Sequence, residues 1–448
     1  MSSAGGTPEI VTTPDQATGA FSHRRPQALL GGKAVLFTTA VGGNFEGANI
    51  VVQSLPNGPR KVVQRGGYYG RYLRSGHVVY MHEGTLFAAP FDLGRLELIG
   101  PPAPVLEGVK ANTGNAGAQF AFSDRGTLVF QPGQTVGADV PIQWMDKDGK
   151  TEPLRALAGD FNNIRFSPDG QRLALDVRKS SERDVWIYEW GRDTMSRLTF
   201  EPGDDAGPVW TPDGQRIAFA STRADKATEN LYWQRADGTG EAERLTESKN
   251  QQLPTSWHPS GKFLAFSERG PQTSSDIMIL KVEGDATSGW KPGKPTVFLS
   301  SPFVEVEAAF SPDGRWLAYQ SNESGRFEVY VRPSPGPGGK WQVSTGSGTY
   351  ATWSRNRKEL FYRTLEGTLM VTPYAVEADS FRAERPRQWS PGLVQARGTS
   401  RTSDLHPDGQ RFAVLKATEE QTAEKQDHVV FIENFFDELR RVAPVGKR

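Results

Sequence analysis

The stretch FSPDGQRLAL, Phe166–Leu175, decides the fold. It recurs as WTPDGQRIAF from Trp210, WHPSGKFLAF from Trp257, FSPDGRWLAY from Phe310 and LHPDGQRFAV from Leu405. In the first copy an aromatic residue ends one strand. Pro168 sets its backbone dihedral for a turn, Asp169 accepts hydrogen bonds from nearby amides, and Gly170 tolerates a positive φ. Leu173 and Leu175 then alternate with smaller or polar neighbours, as a half-buried strand requires. The phrase predicts a tight β-hairpin. Pro212, Asp213 and Gly214, then Pro312, Asp313 and Gly314, then Pro407, Asp408 and Gly409 predict the same turn in later copies.

Weaker copies extend the pattern. WSRNRKELFY from Trp353 keeps the aromatic residue and the apolar pair but lacks the proline and glycine. FSDRGTLVF from Phe122, YLRSGHVVY from Tyr72 and LLGGKAVLF from Leu29 give three earlier anchors, so successive copies lie roughly 43 to 53 residues apart. A second apolar pulse follows each hairpin, as in DVWIYEW from Asp184 and NLYWQRADG from Asn230, and then a fourth, weaker strand such as SRLTF from Ser196. Four short strands per period, with no amphipathic helix between them, predict an all-β propeller of four-stranded blades. The anchors suggest a single ring of eight or nine blades over residues 21–440, with two smaller rings as the alternative. Residues 1–20 read as an N-terminal tail in which EIVTT, from Glu9, is a candidate ring-closing strand. Near the other terminus, HVVFIENFFDEL from His428 offers strand material and then a short helical turn through Phe435, Phe436 and Leu439.

Composition narrows the function. Hydrophobic residues make 36% of 448, enough for a core, and 48 glycines with 31 prolines fit a sequence of many turns. Lys plus Arg equals Asp plus Glu, so bulk attraction to nucleic acid or anionic lipid is not expected. The absence of cysteine excludes disulfides, thiolate catalysis and cysteine-ligated metal. The first residues have no basic region followed by an apolar core, and no window reaches a transmembrane length. The sequence as written is expected to be cytoplasmic and not inserted in a membrane; a fragment of a membrane receptor would instead be periplasmic or extracellular.

A search for chemistry yields little. G-x-S-x-G, H-E-x-x-H, a phosphate-loop lysine motif, a dinucleotide fingerprint and the protein-kinase set are all missing. His258 and His406 occupy the slot before the turn proline, where Ser167 and Ser311 sit in other copies, and read as turn residues. The turn aspartates read as satisfying their own hairpins. Binding residues are expected instead on the loops that lead into each innermost strand, around the central opening. These supply Phe161 and Asn162, Asp204 and Asp205, Asn250 and Gln251, Glu305 and Glu307, and Tyr350. No resident cofactor is called for; a channel metal ion held by these carboxylates is an open alternative.

The phrase F/W-S/T-P-D-G-x-x-L/I-A-F/Y resembles the PD40, or WD40-like, repeat of TolB- and tricorn-type propellers. The segment VTTPDQATGAFSHRRPQALLGGKAVLFTT from Val11, with the terminal ENFFDELRR, also resembles the C-terminal propeller of bacterial serine/threonine protein kinases, here without the kinase domain. The resemblance implies a bacterial repeat protein and a non-enzymatic scaffold for a protein or peptide partner. A ligand-sensing module for a small molecule is one alternative. A propeller hydrolase or lyase, using Asp204, Asp205, Glu305 and Glu307, is another.

Overall fold

The computed structural model describes residues 10–14, 20–29, 31–41, 45–133, 135–136, 140–179, 182–224, 228–270, 275–285, 289–336, 338–394, 400–416 and 428–444. The protein is an all-β propeller built mostly of four-stranded antiparallel blades. It forms two compact units, Met1–Ala138 with Ala417–Arg448, and Asp139–Lys416. The nine anchors each mark a hairpin, and these divide unequally between the units.

The first unit holds three of them. Ala20–Ala28 pairs with Ala34–Val41, Tyr68–Leu73 with His77–His82, and Phe120–Phe122 with Leu128–Phe130. The last of these hairpins gains Val430–Ile432 as its outer strand. The helix Phe435–Val442 then buries Phe435, Phe436 and Leu439. Asp437 and Glu438 lie in its first turn and Arg440 and Arg441 in its last, the order the helix dipole favours. Ile10–Thr13 carries no strand, and Glu9 lies outside the described residues. Within this unit Gln53 donates from its side-chain amide to the Val11 carbonyl, and Arg60 donates to the Thr13 carbonyl.

The second unit holds the other six hairpins, one in each of six sheets. Its innermost strands are Phe161–Phe166, Asp205–Trp210, Gln251–Trp257, Glu305–Phe310, Thr349–Trp353 and Ser403–Leu405. Closure comes from the two ends of the unit. Val140–Asp146 pairs with Arg411–Leu415, so the sixth sheet combines its first strands with its last. The anchor count points to one ring of eight or nine, but strand pairing closes six blades and leaves three hairpins in the other unit.

The repeated L/I-A-F/Y triplet has a packing explanation. Leu173, Ala174 and Leu175 are all buried, because a blade is covered on both faces. Simple in-and-out alternation therefore fails here. Ala174 shares a core with Ile217 and Phe219 of the next blade, Ala218 with Leu264 and Phe266, Ala265 with Leu317 and Tyr319, and Ala318 with Leu360. The alanine makes room for the two large residues of its neighbour, which interdigitate at close-packed density. The triplet thus defines the spacing between blades as well as the strand.

Candidate functional site

Hairpin turns in the second unit satisfy their own polar groups. Asp169 accepts from the Ser167 hydroxyl at 2.6 Å and the Gln171 amide at 3.0 Å. Asp213 repeats this with Thr211 and Gln215, and Asp313 with Ser311 and Arg315. Asp408 accepts from the Gln410 amide at 2.8 Å and faces His406 Nδ1 at the same distance. His258 Nδ1 lies 2.8 Å from the Ser260 hydroxyl. Gly170, Gly214, Gly314 and Gly409 all have φ near +70°, which a side chain would strain.

The turns bring the residue before them to the unit's axis. Phe166, Trp210, Trp257, Phe310, Trp353 and Leu405, one from each blade, line a cavity of about 330 Å³ at the hairpin end. Pro168, Pro212, Pro259, Pro312 and Pro407 complete the rim. Trp210 donates its indole N–H to the Arg165 carbonyl at 3.1 Å, and Trp353 donates to the Ala309 carbonyl at 2.9 Å, so wall residues are fixed to the preceding blade. In the fifth blade, Arg355 stands in the proline slot and also lines the cavity. It donates to the Pro168 carbonyl at 2.6 Å.

A polar layer lies beneath the wall. Five of the six inner strands carry a β-bulge: the register shifts between Asn162 and Arg165, Ala206 and Val209, Pro254 and Ser256, Val306 and Ala309, and Thr349 and Thr352. The extra residue re-aims side chains. Asn163, Glu307 and Tyr350 take positive φ at these bulges. Glu307 Oε2 lies 3.5 Å from Arg401 and 3.9 Å from Arg165. Arg401 donates to the Thr352 hydroxyl at 2.8 Å, and Arg363 donates to the Thr402 hydroxyl at 2.7 Å. Both guanidiniums lie over the Tyr350 ring, at 5.4 and 4.8 Å. Burial raises the Tyr350 phenol, and Glu307 raises it further. Burial and then Arg401 push Arg165 down to about 10, so it stays cationic at neutral pH. Asp404 accepts from the Phe166 amide at 2.8 Å.

The loop residues singled out from the sequence fall into two groups. Glu307 and Tyr350 meet in this layer. The others are engaged locally. Asn162 donates to Asp160, and Asn250 to Glu268. Asp204 pairs with Arg183 at 3.3 Å, and Arg183 also reaches Glu229 at 3.3 Å, which in turn accepts from Gln251. Asp205 is buried against Arg223 at 2.9 Å, and Glu305 accepts from Ser301. Burial raises the carboxyls of both Asp205 and Glu305. Phe161 is a buried packing residue. The four carboxylates considered for catalysis thus each engage a different partner. Among the described residues, no group of three or more His, Asp or Glu side chains is arranged to hold a metal ion. No helix of the described residues is long and apolar enough to cross a membrane. Sequence reasoning missed Arg165, Arg355, Arg363, Arg401 and Asp404.

A family model and several known proteins are similar to this sequence. The TolB β-propeller domain model, PD40, matches residues 122–295. A TolB homolog from Chlorobium luteolum is 31% identical over 277 residues, covering 56% of this protein and 58% of that one. The uncharacterized peptidase YuxL of Bacillus subtilis is 26% identical over 191 residues, covering 35% of this protein and 29% of that one. The sequence therefore spans less than two thirds of the length of each of these curated relatives. The crystal structure of TolB from Acinetobacter baumannii aligns with a TM-score of 0.37 at 14% identity, over 71% of this protein and 66% of that one. With its PD40 repeats and hairpin-closed blades, the protein is similar to TolB-like β-propellers, and residues 122–295 match their domain model.

Proposed function

We propose that the second unit is a non-enzymatic scaffold whose hairpin-end cavity receives a segment of a protein or peptide partner. One observation carries this reading: all six blades place the same repeat position on the wall of one cavity. The residues that make the fold therefore also make a rigid, mostly aromatic surface with a few polar groups. Such surfaces concentrate binding energy, because ordered aromatic side chains lose little entropy on contact. A volume of about 330 Å³ is at the small end of ligand sites and suits one or two side chains of an extended segment.

The test is photo-crosslinking. A benzophenone amino acid is placed at Pro259 on the rim and, as a control, at the exposed Glu283. Segments of partner proteins captured from the native extract at position 259, but not at 283, support the reading. Equal capture at both positions, or capture only at 283, overturns it.

A further inference from the structure

The cavity wall is close to uniform except at one slot. Five blades have proline after the turn's first residue, and the fifth blade has Arg355. This substitution introduces a charge into an otherwise apolar rim. Among the described residues lining the cavity, Arg165, on the neighbouring floor, is the second guanidinium and Asp404 is the one carboxylate. Asp404 accepts from the Phe166 amide and also attracts both Arg165 and Arg355. The layer below adds Arg401 and Arg363 against Glu307. Four guanidiniums thus face three carboxylates, since Asp169 also acts on Arg355.

The cations retain bonding capacity. Arg165 donates to the Thr255 carbonyl at 3.1 Å, and its contact with Glu307, at 3.9 Å, is long for an ion pair. Among the described residues, Arg355 donates from its side chain to the Pro168 carbonyl alone. Each guanidinium has five N–H donors, so both keep donors for a ligand. A planar fork of this kind matches a carboxylate better than any neutral group. Arg165 is partly buried in the floor, whereas Arg355 is exposed at the rim and open to an incoming anion.

We infer that the cavity selects a peptide segment bearing a carboxylate beside an apolar side chain, with Arg355 and Arg165 holding the carboxylate and the aromatic wall holding the apolar group. The inference rests on the peptide reading above and specifies its chemistry. The carboxylate has two sources, the free carboxyl end of a polypeptide or an acidic side chain.

The experiment titrates the tryptophan fluorescence of the full-length protein with four acetylated dipeptides. Acetyl-Leu-Phe acid and its carboxamide test the terminal source. Acetyl-Asp-Phe carboxamide and acetyl-Asn-Phe carboxamide test the side-chain source. In at least one pair, the acid is expected to bind about tenfold or more tightly than its neutral partner at low salt, about 50 mM. That gap should narrow at about 500 mM salt and vanish in Arg355→Gln. Arg355→Pro provides a second variant. It restores the residue of the other five copies, and the Arg355 amide donates no backbone hydrogen bond among the described residues that proline would remove. Unchanged melting of either variant shows that the fold is intact. Acid and amide binding equally well would overturn the carboxylate inference while leaving the peptide reading in place. Failure of all four probes at millimolar concentration would overturn both. Acetate alone binding as tightly as the acids would overturn the peptide occupant in favour of a small acid.

Discussion

The inner strands of the second unit end alike and bulge differently. Their last residues are Phe166, Trp210, Trp257, Phe310, Trp353 and Leu405, near-equivalents in near-equivalent settings. Deeper in the channel, the bulges offer Asn163, Gly207, Thr255, Glu307 and Tyr350, which share no chemistry. Residues that recur satisfy a requirement common to every blade, namely packing the next sheet and closing a turn. Residues that vary at an equivalent position are free of that requirement. Individual chemistry in a repeat protein is therefore sought where copies disagree, and Arg355 in the proline slot is the same lesson at the rim.

The sharpest way to break the comparison is to remove one wall residue. Trp353 is buried, and its indole is fixed to the fourth blade at the Ala309 carbonyl. Trp353→Ala is expected to cost about 3–5 kcal/mol in a urea unfolding curve, the range for emptying an aromatic core site. A loss below ~1 kcal/mol would mean that the wall is not part of the blade-to-blade core.

The bulge layer should give a smaller and differently distributed effect. Glu307→Gln leaves Arg165 and Arg401 facing each other without their shared carboxylate. Breaking a buried pair this way costs about 3 kcal/mol, near the lower end of the usual range because the two contacts are long. Adding Arg401→Met should recover part of that loss, since the uncompensated charge goes with it. Strict additivity of the two substitutions in a double-mutant cycle would show that the layer is not a network.

The contrast also explains what could be read from the sequence. A P-D-G turn between apolar runs is local chemistry, so all nine hairpins and the helix through Phe435, Phe436 and Leu439 were legible. Closure was not, because Val140–Asp146 meets Arg411–Leu415 across almost the whole unit and no short-range signal marks the pairing. The central site was hidden for the same reason. Arg401 meets Glu307 from 94 residues away, and only the closed ring brings them together. Glu307 and Tyr350 were visible through their position at the start of inner strands. Arg355 stood in plain view in WSRNRKELFY, where it reads as decay of the repeat until the proline slot is seen to face a cavity.

A titration sharpens the bulge side of the comparison. Asp176 is fully buried, accepts from Asn163 at 2.9 Å and from the Gly207 amide at 3.1 Å, and keeps Oδ2 without a hydrogen bond among the described residues. Burial raises its carboxyl, against the opposing pull of Arg183 first, then Asn163, Gly207 and Arg178. A carboxyl raised in the folded state takes up its proton there before the unfolded polypeptide does. Its contribution to stability is complete below the ordinary aspartate range and is lost as pH rises through the raised value. Wild type should therefore lose stability relative to Asp176→Asn as pH rises above about 4, with a slope no steeper than the one-proton ceiling of about 1.4 kcal/mol per pH unit. Melts across this pH range read this directly, and a pH-independent difference would remove Asp176 from the account.

The smallest effect belongs to the turns that generate the wall. Asp213 is exposed and accepts from the Thr211 hydroxyl and the Gln215 amide within its own hairpin. Asp213→Ala removes both bonds, but the buried Thr211 hydroxyl keeps the Arg216 carbonyl as acceptor at 3.1 Å and the amide of the exposed Gln215 can bond to water, so no buried group is orphaned. The expected loss is about 1 kcal/mol, with probe binding in the cavity unchanged. Were this substitution to abolish binding while Arg355→Gln did not, the turn carboxylates would be ligand groups and the repeated positions, not the varied ones, would carry the chemistry. A small loss with intact binding leaves each aspartate serving its own turn, while the residue that departs from the repeat decides what the cavity accepts.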